Sequence, residues 1–393
     1  MRRLIAVAPI LVLLLIAACG GGGSSDIAST GTGTGTGTTS GSNVAAITVD
    51  SGPSGNSVNT PFVSVTVCQP ASPGTCATVD HIEVDSGSFG LRIIASALPT
   101  SFTLPAEEDA NGAAIDECAV FGDGYSWGSV ALANVQIAGE TATNIAVQII
   151  GDASSGTPPT SCSSMGSENE NSVATFGANG IIGVGPFVGD AQVYYSCPGG
   201  TCNETTPSAE VSNPVASFAV DNNGVIIELP AVPASGATSL TGSLVFGIGT
   251  ESNNNLGTNT TIYTLDANTG TLSITYNSNT YDMSFLDSGS NANYLIDSSI
   301  PTCDGFYCPT STLQLSATIT GINQAAATVN FDVANASDLF NNNPTGVAFS
   351  NLGAPNTFGN FIDFGLPFFF GLNVYTAIAD AQTPGGVGPY VAF

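Results

Sequence analysis

Apolar and polar residues alternate with a period of two in several segments of the chain. Residues 62–67 read Phe-Val-Ser-Val-Thr-Val, and residues 130–137 and 313–320 alternate in the same way. This alternation is typical of strands with one face on a core, and glycine, asparagine, serine and proline separate such segments at intervals of about eight to twelve residues. No long segment has a helical period, although residues 215–220 are predicted to form one short helix. The pattern predicts an all-β protein.

The first apolar segment has the features of a signal peptide. Two arginines precede the apolar run 4–15, which is too short for a comfortable transmembrane helix. Residues 16–19 read Ile-Ala-Ala-Cys and match a lipobox, in which the signal peptidase cuts before a cysteine that carries lipid. The alternative is an ordinary signal peptide with a chance cysteine. We predict a signal peptide over residues 1–18 and lipidation of Cys19.

The segment that follows is rich in glycine, serine and threonine. Residues 19–43 include a Gly-Thr repeat and are expected to form a disordered tether that buries nothing. We therefore expect an exported protein that is lipid-anchored to the cell envelope. Glycine rather than aspartate after the cysteine favours the outer membrane if the source is Gram-negative. The remaining chain is too long for one small core, and we predict an N-terminal lobe over residues 44–229 and a C-terminal lobe over residues 230–393.

The charge balance is strongly acidic. The chain has 30 Asp and Glu against 3 Lys and Arg, with a net charge of −27, and Arg92 is the one Lys or Arg after the signal segment. Nucleic acid is excluded as an expected partner, because phosphate binding needs clustered basic residues. With 42% hydrophobic and 8% charged residues, the composition indicates a packed core rather than a disordered acidic protein. Arg92 is expected to pair with a buried carboxylate, the alternative being a position at a strand edge.

The cysteines agree with export to an oxidising compartment. Eight follow Cys19 and fall in near pairs, although spacing alone does not establish connectivity. The expected disulfides are Cys68–Cys76, Cys118–Cys162, Cys197–Cys202 and Cys303–Cys308. No Cys-x-x-Cys pair occurs and the chain has one histidine, so no metal site is predicted.

Two Asp-Ser-Gly-Ser sequences each follow a predicted strand. They occupy residues 85–88 and 287–290, one in each predicted lobe. If the two turns face each other, their carboxyls come within about 3 Å, where both cannot ionise and one proton is shared. The Asp-Ser-Gly triplet alone is weak evidence, since a third copy at residues 50–52 is interpreted as an ordinary turn.

The order of further motifs resembles that of the pepsin-like, bilobal aspartic peptidases across most of residues 44–393. The matching elements are a first active-site turn at 84–93, a flap tip at 121–124, an apolar-apolar-Gly element at 179–185, a strand after the lobe crossover at 242–247, a second turn at 287–290 and a closing strand pair at 368–380. The chain also resembles a family of bacterial lipoproteins of unknown function that shares the first turn.

The resemblance implies a bilobal pepsin-like fold of antiparallel sheets with a central cleft. It implies a membrane-tethered aspartic endopeptidase that hydrolyses peptide or protein substrates without cofactor or metal. It also implies a monomer. The site residues that it implies are the catalytic pair Asp85 and Asp287, the supporting residues Gly87, Ser88, Gly289 and Ser290, and the flap residues Phe121, Gly122 and Tyr125.

Two departures from the family pattern favour an alternative function. Phe121 stands where the family has a flap tyrosine, so that Tyr125 or Trp127 would have to supply the missing polar group. The sequence after Ser290 is more polar than the family usually shows. The alternative is a catalytically inactive binding or structural lipoprotein of the cell envelope on the same fold.

Another motif predicts different chemistry. Residues 124–128 match the Gly-x-Ser-x-Gly nucleophile elbow around Ser126. An elbow requires a strand followed by a helix and a histidine after the serine. Strand-like alternation follows Ser126 instead, and His81 precedes it, so we interpret this segment as a strand and His81 as a strand histidine.

Overall fold

The computed structural model describes residues 41–122 and 124–393. The predicted signal peptide, the predicted lipidation site Cys19 and the predicted tether up to residue 40 lie outside the described residues. Among the residues described, no helix is both long enough and apolar enough to cross a membrane.

Strands dominate the first half of the described chain, as the period-two pattern predicts. They are β1 (Val44–Val49), β2 (Pro61–Gln69), β3 (Ser72–Asp85), β4 (Phe89–Ile94), β5 (Ile115–Val120), β6 (Gly124–Ile137), β7 (Glu140–Ile150), β8 (Glu168–Asn169), β9 (Gly180–Val184), β10 (Val193–Ser196), β11 (Asn203–Thr205) and β12 (Gly224–Glu228).

The second half is also built of strands. They are β13 (Leu240–Phe246), β14 (Ile262–Thr264), β15 (Leu272–Tyr276), β16 (Asn279–Leu286), β17 (Asn293–Leu295), β18 (Thr302–Cys303), β19 (Phe306–Tyr307), β20 (Leu313–Thr320), β21 (Ala326–Val333), β22 (Gly353–Pro355), β23 (Asp363–Phe364), β24 (Asn373–Ala377), β25 (Gln382–Thr383), β26 (Gly386–Val387) and β27 (Tyr390–Ala392).

Helices are short and connect strands. The α-helices are α1 (Thr160–Ser163), α2 (Val173–Phe176), α3 (Ala336–Asn342) and α4 (Leu366–Phe369), and the 3₁₀ helices are Ala95–Ala97, Ala153–Ser155, Pro198–Gly200 and Pro214–Ser217. The helix predicted over residues 215–220 corresponds to the last of these. It ends early because Phe218 has an extended backbone.

Two large sheets contain most of the strands. A 16-stranded sheet has the order β11-β10-β5-β6-β7-β4-β9-β3-β2-β1-β13-β12-β24-β27-β14, with β8 paired to β6. A seven-stranded sheet has the order β21-β20-β15-β16-β23-β17-β22. The predicted lobe boundary at residues 229 and 230 lies between β12 and β13, which pair with each other, so the larger sheet continues across this point.

The same three-strand arrangement occurs once in each half. In the first half, β9 lies between β3, which is parallel to it, and β4, which is antiparallel to it. In the second half, β23 lies in the same way between parallel β16 and antiparallel β17. Both β3 and β16 lead into an Asp-Ser-Gly-Ser turn, so each arrangement holds one of these turns at a fixed place.

One hydrophobic core joins the two arrangements. Its buried members include Val84 and Ile182 from the first half and Leu286 and Phe364 from the second. Burial of side chains of this size contributes about 1.5–3 kcal/mol each. The strands that carry the two turns are therefore held by packing as well as by their backbone hydrogen bonds.

The structure contains the four disulfides that the cysteine pairing predicts. They are Cys68–Cys76, Cys118–Cys162, Cys197–Cys202 and Cys303–Cys308. The first joins neighbouring strands β2 and β3, and the second joins β5 to helix α1.

Candidate active site

Each Asp-Ser-Gly-Ser turn is closed by its own aspartate. The backbone N–H of Gly87 donates to Oδ1 of Asp85 at 2.7 Å, and that of Gly289 donates to Oδ1 of Asp287 at 2.8 Å. An aspartate that accepts from the backbone two residues later forms an Asx turn. Both aspartates are thereby fixed at the ends of their strands.

The two turns are locked to each other through their serines. The N–H of Ser86 donates to Oγ of Ser288 at 3.0 Å, and the N–H of Ser288 donates to Oγ of Ser86 at 2.9 Å. Each hydroxyl also donates across to the other half, Ser288 to the carbonyl of Val84 at 2.7 Å and Ser86 to that of Leu286 at 3.3 Å. All four bonds join residues about 200 positions apart in sequence, so they fix the register of one turn on the other.

The glycine of each turn faces the aspartate of the other. A Cβ added to Gly87 would lie 2.7 Å from Cγ of Asp287, and one added to Gly289 would lie 2.8 Å from Cγ of Asp85. Any larger residue would collide with the opposite carboxyl. The carboxyls of Asp85 and Asp287 therefore converge, as the sequence predicted if the turns face each other.

The converging carboxyls are nearly inaccessible to solvent. Asp85 is 6% exposed and Asp287 is 1% exposed. Burial raises the pKa of Asp287 well above its usual value, and the proximity of the Asp85 and Asp363 carboxyls raises it further, against a smaller opposing effect of the Gly289 N–H. Two buried carboxyls at such close range disfavour the state in which both are ionised.

The two predicted supporting serines have different surroundings. Oγ of Ser290 lies 3.0 Å from Oδ2 of Asp287 and 2.6 Å from Oδ2 of Asp363. Oγ of Ser88 is buried and has no hydrogen-bond partner in the described part of the chain. The support expected from Ser88 is thus not a hydrogen bond in this structure.

Sequence reasoning missed Asp363, which lies in β23 and is 4% exposed. In register, Asp363 pairs with Phe285 of β16, as Ile181 pairs with Glu83 of β3 in the first half. The sequence signal was available, because Asp363-Phe-Gly365 matches Ile181-Ile-Gly183 with an acid in place of the first apolar residue.

The predicted flap is the β-hairpin of β5 and β6. The N–H of Phe121 donates to the carbonyl of Gly124 at 2.9 Å across the hairpin end. The Phe121 ring packs edge-on to Phe176 at 5.6 Å and lies 6.0 Å from the Arg92 guanidinium carbon. Gly122, the next residue, is buried. The flap residue therefore has aromatic and cationic neighbours within the first half.

Tyr125 and Trp127 do not replace the hydroxyl that Phe121 lacks. The Tyr125 hydroxyl accepts from the side chain of Asn169 at 3.2 Å, and the indole N–H of Trp127 donates to the carbonyl of Ser155 at 3.1 Å. Both rings belong to a buried cluster with the Cys118–Cys162 disulfide, apart from the cluster that Phe121 joins. Their polar groups are committed to these partners.

The segment after α1 holds the hairpin. Glu168 of β8 pairs with Gly124, the N–H of Glu170 donates to the Tyr125 carbonyl at 2.9 Å, and the Asn171 side chain accepts from the Trp127 N–H at 2.7 Å. The Cys118–Cys162 disulfide adds a covalent link. Any movement of the hairpin must therefore carry this segment or break its hydrogen bonds.

Arg92 forms a buried ionic cluster, which confirms its predicted pairing. Its Nη2 lies 2.7 Å from Oε1 of Glu117 and 2.7 Å from Oδ2 of Asp190, and the three side chains are 1% exposed or less. The Tyr194 hydroxyl donates to the same oxygen of Asp190 at 2.8 Å. The cation is thus used within the first half and does not neutralise the aspartate pair.

The nucleophile-elbow motif is part of a strand. Ser126 lies inside β6, is fully buried, and donates to the side-chain oxygen of Gln148 at 2.9 Å. His81 contacts Asp50 at 3.3 Å and Asp80 at 3.4 Å. These positions agree with the strand interpretation of both residues.

Two surface cavities lie away from the aspartate pair. One of about 770 Å³ is lined by residues of the 95–106 segment together with Asp116 and Asp152. The other, of about 560 Å³, is lined in part by residues 334–343. Neither lining includes Asp85 or Asp287.

The sheet arrangement and the paired turns place this protein in the class of pepsin-like bilobal folds. The structure is similar to the crystal structure of an aspartic proteinase from Irpex lacteus, with a TM-score of 0.50 and 16% sequence identity, over 89% of this chain and 96% of that chain. Residues 39–393 match a family described as "Protein of unknown function (DUF3443)", and the chain belongs to that family. No curated protein sequence matches the chain significantly.

Proposed function

We propose that this protein is an aspartic endopeptidase of the cell envelope. The observation that carries the proposal is the convergence of two buried carboxyls, each packed on the glycine of the opposite turn. Aspartic peptidase chemistry requires two acids with one proton between them. The fold alone does not imply this activity, because one fold serves many functions, so the proposal depends on the pair.

The proposed reaction is hydrolysis of a peptide bond by water. The ionised member of the Asp85–Asp287 pair takes a proton from a bound water as its oxygen attacks the substrate carbonyl carbon, and the neutral member donates its proton to the carbonyl oxygen. The tetrahedral intermediate then collapses: one of its two hydroxyls returns a proton to the pair, the C–N bond breaks, and the leaving nitrogen receives a proton from the pair. The products are a carboxyl and an amine, and the pair ends with one proton, as it began.

The proposed location follows from the first residues of the chain. A lipid on Cys19 and the tether up to residue 43 would hold the body at a membrane surface, where stable anchoring needs two or more acyl chains. The substrate class is an extended peptide or an unfolded protein. The proposed enzyme needs no metal or cofactor and is a monomer.

A second candidate is a catalytically silent envelope protein on the same fold. Two observations favour it. Phe121 has no hydroxyl at the flap position, and the hairpin is held by the segment 160–171 through the Cys118–Cys162 disulfide and backbone bonds. In that case the paired turns serve only to join the two halves.

Cleavage of a denatured protein at about pH 3 to 5 distinguishes the two candidates. We expect activity that pepstatin inhibits, and we expect Asp85→Asn and Asp287→Asn each to lower it at least about 10²-fold, because general acid–base catalysis contributes about 10²–10⁴-fold. The matched control is Asp50→Asn, which alters the third Asp-Ser-Gly triplet. This control keeps full activity. Equal activity in the parent and both pair variants, or none in the parent, favours the silent protein.

A further inference from the structure

A third buried carboxyl is linked to the aspartate pair through one hydroxyl. Oδ2 of Asp363 lies 2.6 Å from Oγ of Ser290, which lies 3.0 Å from Oδ2 of Asp287. All three side chains are buried. The order of the atoms is therefore Asp363, Ser290, Asp287, with the serine hydroxyl between two acids.

The hydrogens available to this chain of atoms restrict its protonation state. A serine hydroxyl has one hydrogen, and an ionised carboxylate can only accept. If both acids were ionised, Ser290 could donate to one of them, and the other would face the hydroxyl lone pairs at hydrogen-bond distance. Both contacts are hydrogen bonds only if one carboxyl is neutral and donates to Ser290.

Asp363 is the acid better suited to be neutral. Its Oδ1 is buried and has no hydrogen-bond partner among the described residues, whereas Oδ1 of Asp287 accepts from the Gly289 N–H. An ionised carboxylate with an unpartnered oxygen is far more costly to bury than a neutral acid. Burial also raises the pKa of Asp363 well above its usual value and the charge of Asp85 adds to this, against an opposing effect of the Ser290 hydroxyl.

Within residues 41–122 and 124–393, no lysine or arginine is left to stabilise an ionised Asp363. The acidic groups near it are Asp287, beyond Ser290, and Asp85, and its register partner in β17 is Tyr294, whose hydroxyl donates to Asn291. Arg92, the one Lys or Arg in the described chain, is bound to Glu117 and Asp190. Charge repulsion and burial thus act on Asp363 in the same direction.

The fold does not by itself require an acid at this position. The first half has Ile181 at the equivalent register, and there the equivalent hydroxyl, that of Ser88, has no hydrogen-bond partner in the described residues. The two halves therefore differ next to the aspartate pair. Ile181 of β9 offers no hydrogen-bond partner to Ser88, whereas Asp363 of β23 is hydrogen-bonded to Ser290.

We propose that Asp363 is a positioning residue that carries a proton and donates it to Ser290, so that the Ser290 hydroxyl is fixed as a donor to Asp287. This inference rests on the proposed function, in which Asp287 belongs to the catalytic pair. The three acids then hold two protons in the active state, one on Asp363 and one shared by the pair. Loss of the Asp363 proton turns the Ser290 hydroxyl toward Asp363 and removes a donor from Asp287.

Two substitutions at Asp363 test whether its side chain acts as a neutral hydrogen-bond donor to Ser290. Asp363→Asn replaces O–H by N–H and can still donate to Ser290, but it cannot ionise. Asp363→Ile copies Ile181 of the first half and removes the donor. Near-ultraviolet circular dichroism of the full-length chain shows whether each variant folds. If one of the two does not fold, the other still tests the proposal.

The activity test compares the pH dependence of kcat and KM in the parent and both variants. We expect Asp363→Asn to keep kcat within about threefold at pH 4 and to extend activity to higher pH by at least about half a pH unit, because the titration of Asp363 is removed. Asp363→Ile should lower kcat at least about tenfold with little change in KM. The inference is overturned if Asp363→Asn is as inactive as Asp85→Asn. It is also overturned if the activity of Asp363→Asn falls at high pH in the same way as that of the parent.

A second readout does not depend on activity. The infrared C=O band of neutral carboxyls, measured at pH 6 on the full-length chain, should lose the intensity of one group in both Asp363→Asn and Asp363→Ile. If this loss occurs in an inactive protein, the proposed function fails and the protonation of Asp363 stands. If the parent cleaves peptides but the band is unchanged in both variants, the inference about Asp363 fails and the proposed function stands.

Discussion

Gly87 and Gly289 are the residues that let the two aspartates approach. Each has the opposite carboxyl less than 3 Å from the place where a side chain would begin. The requirement is one of space, since neither glycine has a positive φ. A carboxyl held by its own turn cannot withdraw without loss of the Asx hydrogen bond. The site is therefore sensitive to a single methyl group.

Gly289→Ala should destabilise the protein, because its Cβ would lie 2.8 Å from Cγ of Asp85. Overpacking of this kind costs about 1–3 kcal/mol. The matched control is Gly74→Ala, because a Cβ at Gly74 has nothing within 4 Å, and such open sites change stability by about 0.5 kcal/mol or less. The free energy of unfolding in urea measures both. Equal values for the two variants would show that the turns are not closely apposed.

The three Asp-Ser-Gly triplets show what could be predicted from single residues. Asp50 accepts from the Gly52 N–H at 2.8 Å, so this copy forms the same local turn as the other two. Its side chain is 32% exposed and contacts His81 rather than a second Asp-Ser-Gly turn. The triplet predicts a turn in every case. The site depends on the long-range pairing of two turns, which no local sequence encodes.

At the level of the strands, the same three-strand arrangement occurs in both halves, but its central strand is easier to predict from the sequence in the first half than in the second. The element at 179–185 was identified because Ile181-Ile-Gly183 is apolar and ends in glycine, and it forms β9 between β3 and β4. The resemblance predicts a closing strand pair at 368–380, and this segment contains one strand, β24. Strand β24 pairs with β12 and β27, and the strand beside β16 is β23.

The strand β23 was missed for two physical reasons. It is two residues long, too short for a period to be visible, and its first residue is Asp363 rather than an apolar residue. Gly365, which follows β23, is the one remaining feature of the sequence that indicates this strand. A Cβ at Gly365 would lie 2.3 Å from the Ser290 carbonyl oxygen, as one at Gly183 would lie 2.3 Å from the Phe89 nitrogen. The same close approach occurs in both halves.

On the scale of the whole molecule, the excess of acids governs the response to pH. Several carboxyls have a pKa raised by burial, to about 6 for Asp116 and to about 7 for Glu170, and well above the usual value for Asp287 and Asp363. A group whose pKa is higher in the folded state binds protons more tightly there. Its contribution to stability therefore grows as pH falls through the folded pKa.

We predict a melting temperature at pH 4 that is at least equal to that at pH 7. The groups with raised pKa gain stability over this interval, down to the unfolded value near 4. Carboxyls with lowered pKa, such as Asp266 and Asp297, lose their contribution mainly below it. Calorimetry at both pH values tests this, and Glu170→Gln should reduce the difference. A clearly lower melting temperature at pH 4 contradicts the account.

The central claim is that Asp85 and Asp287 interact as one proton-sharing unit. The most direct measurement is the pH titration of the Asp287 carboxyl by carbon-13 NMR, with its resonance identified by loss in Asp287→Asn. We predict that Asp287 stays protonated well above the usual aspartate pKa of about 3.9, and that Asp85→Asn moves its midpoint to lower pH. A midpoint near the usual value that Asp85→Asn leaves unchanged would contradict the claim.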